Sequence, residues 1–181
     1  LGAFPHHLPM DLAVRRHVDD HVAQKLRLKD KDNGFPWVGN PKEALLFGSH
    51  LGGSGKRCAV TEGFEDAMAL SQALGNTWPV FSIINGAGNA RKDIIKSLGL
   101  LQAYETVVLF FDEDDAGRQA VDEVGRACAH MLNLHVGRLP PGRGFKDCCD
   151  VLKADTDGEL VKALVNCFWR GRRRGGWQQW I

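Results

Sequence analysis

Two short apolar runs in this chain each end in acidic residues, and a helical pattern begins directly after each. Residues 58–60 lead into Glu62 and Gly63, and residues 106–111 lead into Asp112 and Asp114. Alternating strand and helix patterns predict a parallel sheet with helices on both faces. Because right-handed crossovers bring the carboxyl ends of parallel strands to one edge, we expect both acidic ends to lie there.

The alternation continues through most of the chain. It predicts further strands at 79–84 and 134–139, and helices at 64–74, 89–98, 116–132 and 157–168, with a short helix after Asp147. The fold class is therefore α/β, with a parallel sheet of about four strands. Residues 34–56 are predicted to be loop and turn. The glycine-rich stretch 52–57 is interpreted as a flexible connector, because a phosphate-binding P-loop would need glycine in place of His50 and a hydroxyl in place of Arg57.

The amino-terminal part has a different pattern. A short helix is predicted at 11–22, followed by an alternating strand at 23–31 and a hairpin turn at 32–34. On that strand four bases share one face: Lys25, Arg27, Lys29 and Lys31. One interpretation is the solvated face of an edge strand, where lysines are common. Four bases on the same face of the strand favour the second interpretation, a surface that binds phosphates.

Composition narrows the class of protein. The chain has 181 residues and a net charge of +1, which allows one domain with appendages. Its five cysteines form no C-x-x-C pair, so a zinc ribbon is not expected, and the odd number fits a reducing compartment. No apolar stretch approaches the ~20 residues needed to span a bilayer. The start at Leu1, without methionine, indicates a piece of a longer protein.

The acidic strand ends favour a divalent metal. Asp112 and Asp114 are two residues apart just past a strand, so both can face one cation together with Glu62. Mg²⁺ prefers such hard oxygen ligands and shares them with substrate phosphates. The alternative is that Asp114 or Asp115 only caps the following helix. A cap explains one aspartate and leaves the clustering at two strand ends unexplained.

At this point the residues resemble a known family. The motifs V-T-E-G-x-x-D at 60–66 and F-D-x-D-x-A-G-R at 111–118 resemble the Toprim domain of DNA primases and topoisomerases. Four further motifs narrow the resemblance to bacteriophage-type primase–helicases: Q-K-x-R-x-K-D-K at 24–31, L-F-G-x-H-L at 46–51, G-A-x-N at 86–89 and K-D at 146–147. The resemblance runs from about residue 22 to about residue 152.

The resemblance implies a DNA primase that joins ribonucleotides on single-stranded DNA. Glu62, Asp112 and Asp114 would bind catalytic Mg²⁺, as one or two ions with Mn²⁺ as a substitute, and Asp66 and Asp147 would support the site. Glu62 is also the candidate base for the attacking 3′-hydroxyl. Nucleotide triphosphates or template would contact the basic residues Lys25, Arg27, Lys29, Lys31, Arg118 and Lys146. For Arg118, a surface ion pair is an equally good interpretation.

The resemblance also implies an organisation and partners. Residues 1–50 would be part of an amino-terminal primase subdomain, 51–154 the Toprim catalytic domain, and 155–181 a helix with an Arg/Trp-rich tail. That tail is interpreted as a linker in preference to a grip on single-stranded nucleic acid. The parent protein would add a zinc-binding module and a hexameric helicase, neither of which this chain contains, and would act in the cytoplasm of a phage-infected bacterium.

Two other functions remain open from the sequence. A Toprim nuclease or topoisomerase-like strand cleaver is one, although a topoisomerase needs a tyrosine nucleophile and the single tyrosine, Tyr104, precedes a strand. A non-catalytic DNA-binding remnant is the other. It ranks last, because all three metal carboxylates are present.

Overall fold

The computed structural model describes residues 11–15, 21–26, 36–140 and 143–171. The first of two sheets is antiparallel, with the order β1–β2–β3, and consists of β1 (Asp11–Arg15), β2 (His21–Leu26) and β3 (Trp37–Gly39). The second is parallel, with the order β5–β4–β6–β7, and consists of β4 (Gly55–Thr61), β5 (Val80–Ser82), β6 (Tyr104–Phe110) and β7 (Leu134–Val136). This is the predicted α/β architecture.

Helices connect and cover the parallel sheet. They are α1 (Phe64–Ala73), α2 (Ala90–Lys96), α3 (Leu98–Leu101), α4 (Asp115–Cys128), α5 (Cys148–Ala154) and α6 (Glu159–Arg170). Short 3-10 turns lie at Ser49–Leu51 and Ala87–Asn89. Within the described ranges, no helix has the length and apolar character needed to cross a membrane.

The central strand β6 shows why the sheet is buried on both faces. Val107 and Leu109 pack with helices α2, α3 and α4, whereas Val108 and Phe110 pack with α1, α5 and α6. Successive side chains of a strand point to opposite faces, so a continuous apolar run fills two cores at once. The prediction of helices on both sides of a parallel sheet is confirmed.

The helix predicted at 11–22 is wrong, because residues 11–15 and 21–26 form an antiparallel strand pair. Strand β2 also pairs with β3. Pairing with two neighbours satisfies backbone groups in a way that the local residue pattern does not reveal. The strand predicted at 23–31 is confirmed as far as Leu26, and residues 27–31 and the turn at 32–34 lie outside the described residues.

The interpretation of 52–57 as a flexible connector is also wrong. The backbone N–H of Gly53 donates to the Tyr104 hydroxyl at 2.8 Å. Strand β4 already begins at Gly55, which pairs with Tyr104. A Cβ at Gly52 would lie 3.1 Å from the ring of Phe81, so this residue is packed against the core. The segment is therefore anchored to the amino end of the sheet.

The remaining differences between the predicted and the observed elements concern the residues at which helices and strands begin and end. The predicted helix 89–98 is two helices separated at the buried Ser97. The predicted strand 134–139 ends at Val136, and a Cβ at Gly137 would overlap the ring of Phe110. In the region predicted as loop and turn, β3 and the turn Ser49–Leu51 are regular structure.

The carboxyl end of α6 is fastened to the sheet. The Arg57 guanidinium donates to the carbonyls of Phe168 and Trp169 at 2.7 and 2.8 Å, and it lies 5.7 Å from the Trp169 ring centroid. His135 Nδ1 contacts the Gly171 carbonyl at 2.5 Å and donates to it, since a carbonyl can only accept. We call these contacts the α6 clamp. They hold the last described helix on strands β4 and β7.

Candidate catalytic site at the carboxyl edge of the sheet

The two acidic strand ends lie side by side, as expected. Strands β4 and β6 are parallel neighbours, and Thr61 pairs with Phe110 at their carboxyl ends. Glu62 and Asp112 follow directly, and the backbone N–H of Asp112 donates to the Glu62 carboxylate. The pairing register alone therefore brings together side chains that lie fifty residues apart in sequence.

Glu62 is a half-buried carboxylate with unused hydrogen-bonding capacity. Its Oε2 atom is buried and has no hydrogen-bond partner within the described part of the chain. Burial raises its pKa first, and the negative charges of Asp112 and Asp114 raise it further. A buried oxygen without a partner is costly, so this atom is placed to accept a ligand from outside the chain.

Asp112 and Asp114 share one basic neighbour. The Lys146 ammonium lies 3.2 Å from Asp112 Oδ2 and 3.4 Å from Asp114 Oδ2. Burial raises the pKa of Asp112, against the opposing effect of Lys146. The pKa of Asp114 is lowered, chiefly by the hydrogen bond that its Oδ1 accepts from the Gly117 N–H at 2.9 Å. Asp114 thus caps α4 with one oxygen and faces Lys146 with the other.

Asp66, Asp147 and Cys149 form a second cluster beside the first. One ligand atom from each lies within 4.8 Å of the others. Asp66, on the first turn of α1, is buried, and its Oδ1 accepts from the Cys149 N–H at 3.1 Å. Burial, reinforced by the charge of Asp147, raises the pKa of Asp66 to about 6. This cluster could hold a metal ion.

The loops that carry these acids are joined by backbone contacts. Glu113 donates its N–H to the Lys146 carbonyl at 2.9 Å, and Asp147 caps α5 by accepting from the Asp150 N–H at 2.7 Å. The first of these hydrogen bonds joins the loop after β6 to the loop before α5. This arrangement puts Lys146 and Asp147 beside the carboxylates of β4 and β6.

Glycine occupies two positions where a side chain would disturb the acids. A Cβ at Gly63 would lie 2.5 Å from Asp66 Oδ2, and one at Gly117 would overlap the carbonyl oxygen of Asp112. Neither glycine has a positive φ, so the reason for each is space. The E-G and A-G-R motifs therefore include glycines that let the backbone approach the site closely.

The predicted basic strand is only partly visible. Lys25 on β2 is half-buried, with its ammonium 4.8 Å from the Phe64 ring centroid and 5.7 Å from that of Trp37. Burial lowers its pKa, and the charge of Glu65 acts in the opposite direction. Phe64 follows Glu62 and Gly63, so Lys25 lies near the acidic edge. Arg27, Lys29 and Lys31 lie outside the described residues.

Arg118 lies on the first turn of α4, where its backbone N–H donates to the Asp114 carbonyl at 3.0 Å. Its guanidinium donates to Asp115 Oδ1 and to the Glu113 carbonyl, both at 2.6 Å. These contacts match the ion-pair interpretation of Arg118. A contact with phosphate stays a prediction.

Sequence reasoning missed Cys149, which contributes both its N–H and its thiol to the surroundings of Asp66. Its position two residues after the helix-capping Asp147 was the available signal. It also missed Arg138, which donates to Glu113 Oε2 at 2.9 Å. No local motif marks that residue, because β7 and a loop separate it from the acids.

As a whole, the edge offers a set of carboxylate oxygens, one of them without a partner, next to basic side chains. Hard divalent cations take oxygen ligands of this kind and share them with phosphates. The residues present therefore fit a divalent metal.

The comparisons with known proteins identify the family of this chain. The sequence matches the Toprim-like family over residues 59–152. The chain therefore belongs to the Toprim-like family, as its motifs indicated.

One of the similar proteins is a phage replication protein. The chain is 39% identical over 148 residues to the DNA helicase/primase of Enterobacteria phage T3, which covers 82% of this chain and 24% of that protein. The chain thus spans about a quarter of the length of that relative.

Two solved structures involve the corresponding protein of bacteriophage T7. One contains the T7 lagging-strand DNA polymerase interacting with primase domains of two gp4 subunits bound to an RNA/DNA hybrid and dTTP. It matches with a TM-score of 0.74 and 30% identity over 90% of this chain and 78% of that chain. The primase fragment of the T7 primase–helicase matches with a TM-score of 0.71 and 31% identity over 85% of this chain and 62% of that chain. These relatives do not favour the nuclease or remnant alternatives.

Proposed function

We propose that this chain is the catalytic core of a phage-type primase–helicase and joins ribonucleotides on a single-stranded DNA template with release of pyrophosphate. The observation that carries the proposal is the meeting of Glu62, Asp112 and Asp114 at one sheet edge. The similarity to the T3 helicase/primase and to the T7 primase domain supports it.

Glu62, Asp112 and Asp114 would hold one or two Mg²⁺ ions, supported by Asp66 and Asp147, and Mn²⁺ would substitute. Bound there, such an ion would neutralise phosphate charge and favour the attacking form of the primer 3′-hydroxyl. Burial and the charges of Asp112 and Asp114 raise the pKa of Glu62 above its ordinary value. The direction of this shift supports the proposed role of Glu62 as a proton acceptor.

The basic residues would bind the substrates. The Lys25 ammonium lies over the Phe64 ring beside the acidic edge. Together with Arg27, Lys29 and Lys31, it would contact triphosphate or template. The proposed organisation is an amino-terminal basic subdomain (1–50), a catalytic domain (51–154) and a carboxyl-terminal helix with its tail (155–181). A zinc-binding module and a hexameric helicase are the proposed partners within the longer protein.

The test is primer synthesis from labelled ribonucleotides on single-stranded DNA with Mg²⁺ and the zinc module supplied in trans. The double variant Asp112→Asn with Asp114→Asn should lower synthesis by about 100-fold or more, since each loses a metal-binding charge. Asparagine is chosen at 114 because its side-chain oxygen can still cap α4. The matched control is Asp115→Asn, an exposed neighbour, which should keep activity within about twofold. Equal activity in the double variant and the control would refute the metal assignment.

Glu62→Gln is the smallest change at the site. It removes the charge and the proton-accepting group and keeps the shape, so synthesis should fall strongly while the thermal unfolding midpoint stays the same or rises. In a parallel assay with labelled template, cleavage of the template by the wild-type chain without any primer product would favour a nuclease and reject the primase proposal.

A further inference from the structure

Lys146 occupies the place where a cation is most needed. Its ammonium lies between Asp112 Oδ2 and Asp114 Oδ2, at 3.2 and 3.4 Å. These are two of the carboxylates proposed to hold the metal. The neighbouring Glu62 adds a further negative charge that acts on the same residues. The ammonium therefore neutralises part of a crowded acidic edge.

The backbone of Lys146 is held on both sides, whereas its side chain reaches the two aspartates from an exposed position. The Lys146 N–H donates to Asp150 Oδ2 at 3.2 Å, and its carbonyl accepts from Glu113 at 2.9 Å. The side chain is 57% exposed, compared with 15% for Asp112. A flexible four-carbon stem on a fixed backbone lets the ammonium swing without disturbing α5 or the loop after β6.

The ammonium and a metal ion would need the same oxygens. A divalent cation binds carboxylates through direct contacts near 2 Å, so it competes with the ammonium for the lone pairs and the negative charge of the same two atoms. When the aspartates take a divalent cation, like-charge repulsion pushes the lysine outwards. The displaced ammonium stays tethered beside the site on its exposed stem and would then be available to a phosphate.

We propose that Lys146 is an exchangeable counter-ion: it neutralises Asp112 and Asp114 in the metal-free protein, competes with the divalent cation, and then binds the triphosphate of the incoming nucleotide. The triphosphate step rests on the proposed function, whereas the competition step does not. Lys146 is thus a positioning residue that couples metal binding to nucleotide binding.

The competition is tested with Mn²⁺ alone, from the electron paramagnetic resonance signal of the free ion. Lys146→Met keeps the length of the side chain and removes its charge, so the dissociation constant for Mn²⁺ should fall by about three- to tenfold. Lys146→Arg, which keeps the charge, should stay near the wild type.

The matched control is Lys153→Met. Lys153 is an exposed lysine on α5 that lies 4.0 Å from Asp150, so its loss changes the net charge equally without touching Asp112 or Asp114. Its Mn²⁺ affinity should remain within about twofold of the wild type. Circular dichroism and thermal unfolding of each variant establish that the fold is kept.

Nucleotide binding is then measured by calorimetry with ATP, with Mn²⁺ at saturation and without template. Lys146→Met should bind ATP about tenfold more weakly than the wild type, although it binds Mn²⁺ more tightly. If Lys146→Met binds Mn²⁺ no more tightly than Lys153→Met, the counter-ion proposal is wrong. If it binds Mn²⁺ more tightly but ATP equally well, the transfer to the triphosphate is wrong. Neither measurement depends on primer synthesis. If the wild-type chain made no primers, this would contradict the proposed function but not the proposed exchange of Lys146 between the aspartates and the triphosphate.

Discussion

At the scale of single residues, one acidic side chain can cap a helix and also face the site. Asp114 caps α4 through Oδ1 while Oδ2 faces Lys146 and the site. The capping and metal interpretations of the sequence each describe one oxygen of this side chain. Asp147 likewise caps α5 and belongs to the cluster with Asp66 and Cys149. A carboxylate that caps a helix is therefore held in position for metal binding by the helix itself, without additional residues.

Asp66 should make the metal-free protein less stable as pH rises. Its pKa in the folded chain is about 6, above its ordinary value of 3.8. The folded state thus holds the proton more tightly, and stability falls by roughly 3 kcal/mol in total as pH rises from about 4 to above 6. Asp66→Asn removes this dependence and should raise the free energy of unfolding at pH 7.5 by about 1–3 kcal/mol.

The measurement is chemical denaturation with a chelator at a series of pH values. Glu105→Gln, an exposed carboxylate on β6, is the matched control and should leave the pH profile unchanged. Added Mn²⁺ should stabilise the wild type more than Asp66→Asn, because only the wild type keeps the carboxylate. A variant profile with the same slope as the wild type between pH 4 and 6 would contradict the burial argument.

At the scale of elements, the site depends on how closely α4 approaches the end of β6. Gly117, on the first turn of α4, lies against the backbone of Asp112. This contact sets the position of the helix that Asp114 caps. The spacing between the two aspartates is thereby tied to the packing of one helix turn against one strand end.

Gly117→Ala should push the first turn of α4 away from the end of β6 and so change the spacing between Asp112 and Asp114. The added Cβ overlaps the Asp112 carbonyl, so we expect a loss of about 1–3 kcal/mol in the free energy of unfolding and weaker Mn²⁺ binding. The control is Gly99→Ala on α3, where a Cβ meets nothing within 4 Å and alanine should be neutral or stabilising by about 0.5–1 kcal/mol. The idea fails if both variants have the stability and Mn²⁺ affinity of the wild type.

At the scale of the whole molecule, the α6 clamp closes one layer of the fold. Phe168 is fully buried among residues of α1, β6 and α5. The Arg57 guanidinium donates to the last carbonyls of α6, which have no partner within the helix. The clamp thus connects the first strand of the parallel sheet to the last helix.

Arg57→Met should weaken the attachment of α6 to the parallel sheet. It removes two charge-assisted hydrogen bonds to the carbonyls of Phe168 and Trp169, for which we expect a loss of about 1–3 kcal/mol. Hydrogen exchange should show faster exchange in α6 than in β6. Lys56→Met, the exposed neighbouring position, is the control and should change stability by less than about 0.5 kcal/mol. Unchanged exchange in α6 of Arg57→Met would show that apolar packing alone holds the helix.

Much of the architecture could be predicted from local patterns. The apolar run of β6 and the amphipathic stripe of α4 report burial directly, because side-chain period follows from strand and helix geometry. The convergence of Glu62 with Asp112 was also predictable, since parallel strands end at one edge. The strand at 11–15 was not predicted, because its strand form depends on pairing with β2.

The sequence by itself therefore determined the alternation of strands and helices in the parallel sheet and the edge at which the acids meet. Only the tertiary structure decided that Lys146 contacts Asp112 and Asp114, that Cys149 supports Asp66, and that Arg57 holds α6. These contacts join residues 34, 32, 83 and 111 positions apart. Local periodicity carries no information about such pairs, because packing of distant elements creates them.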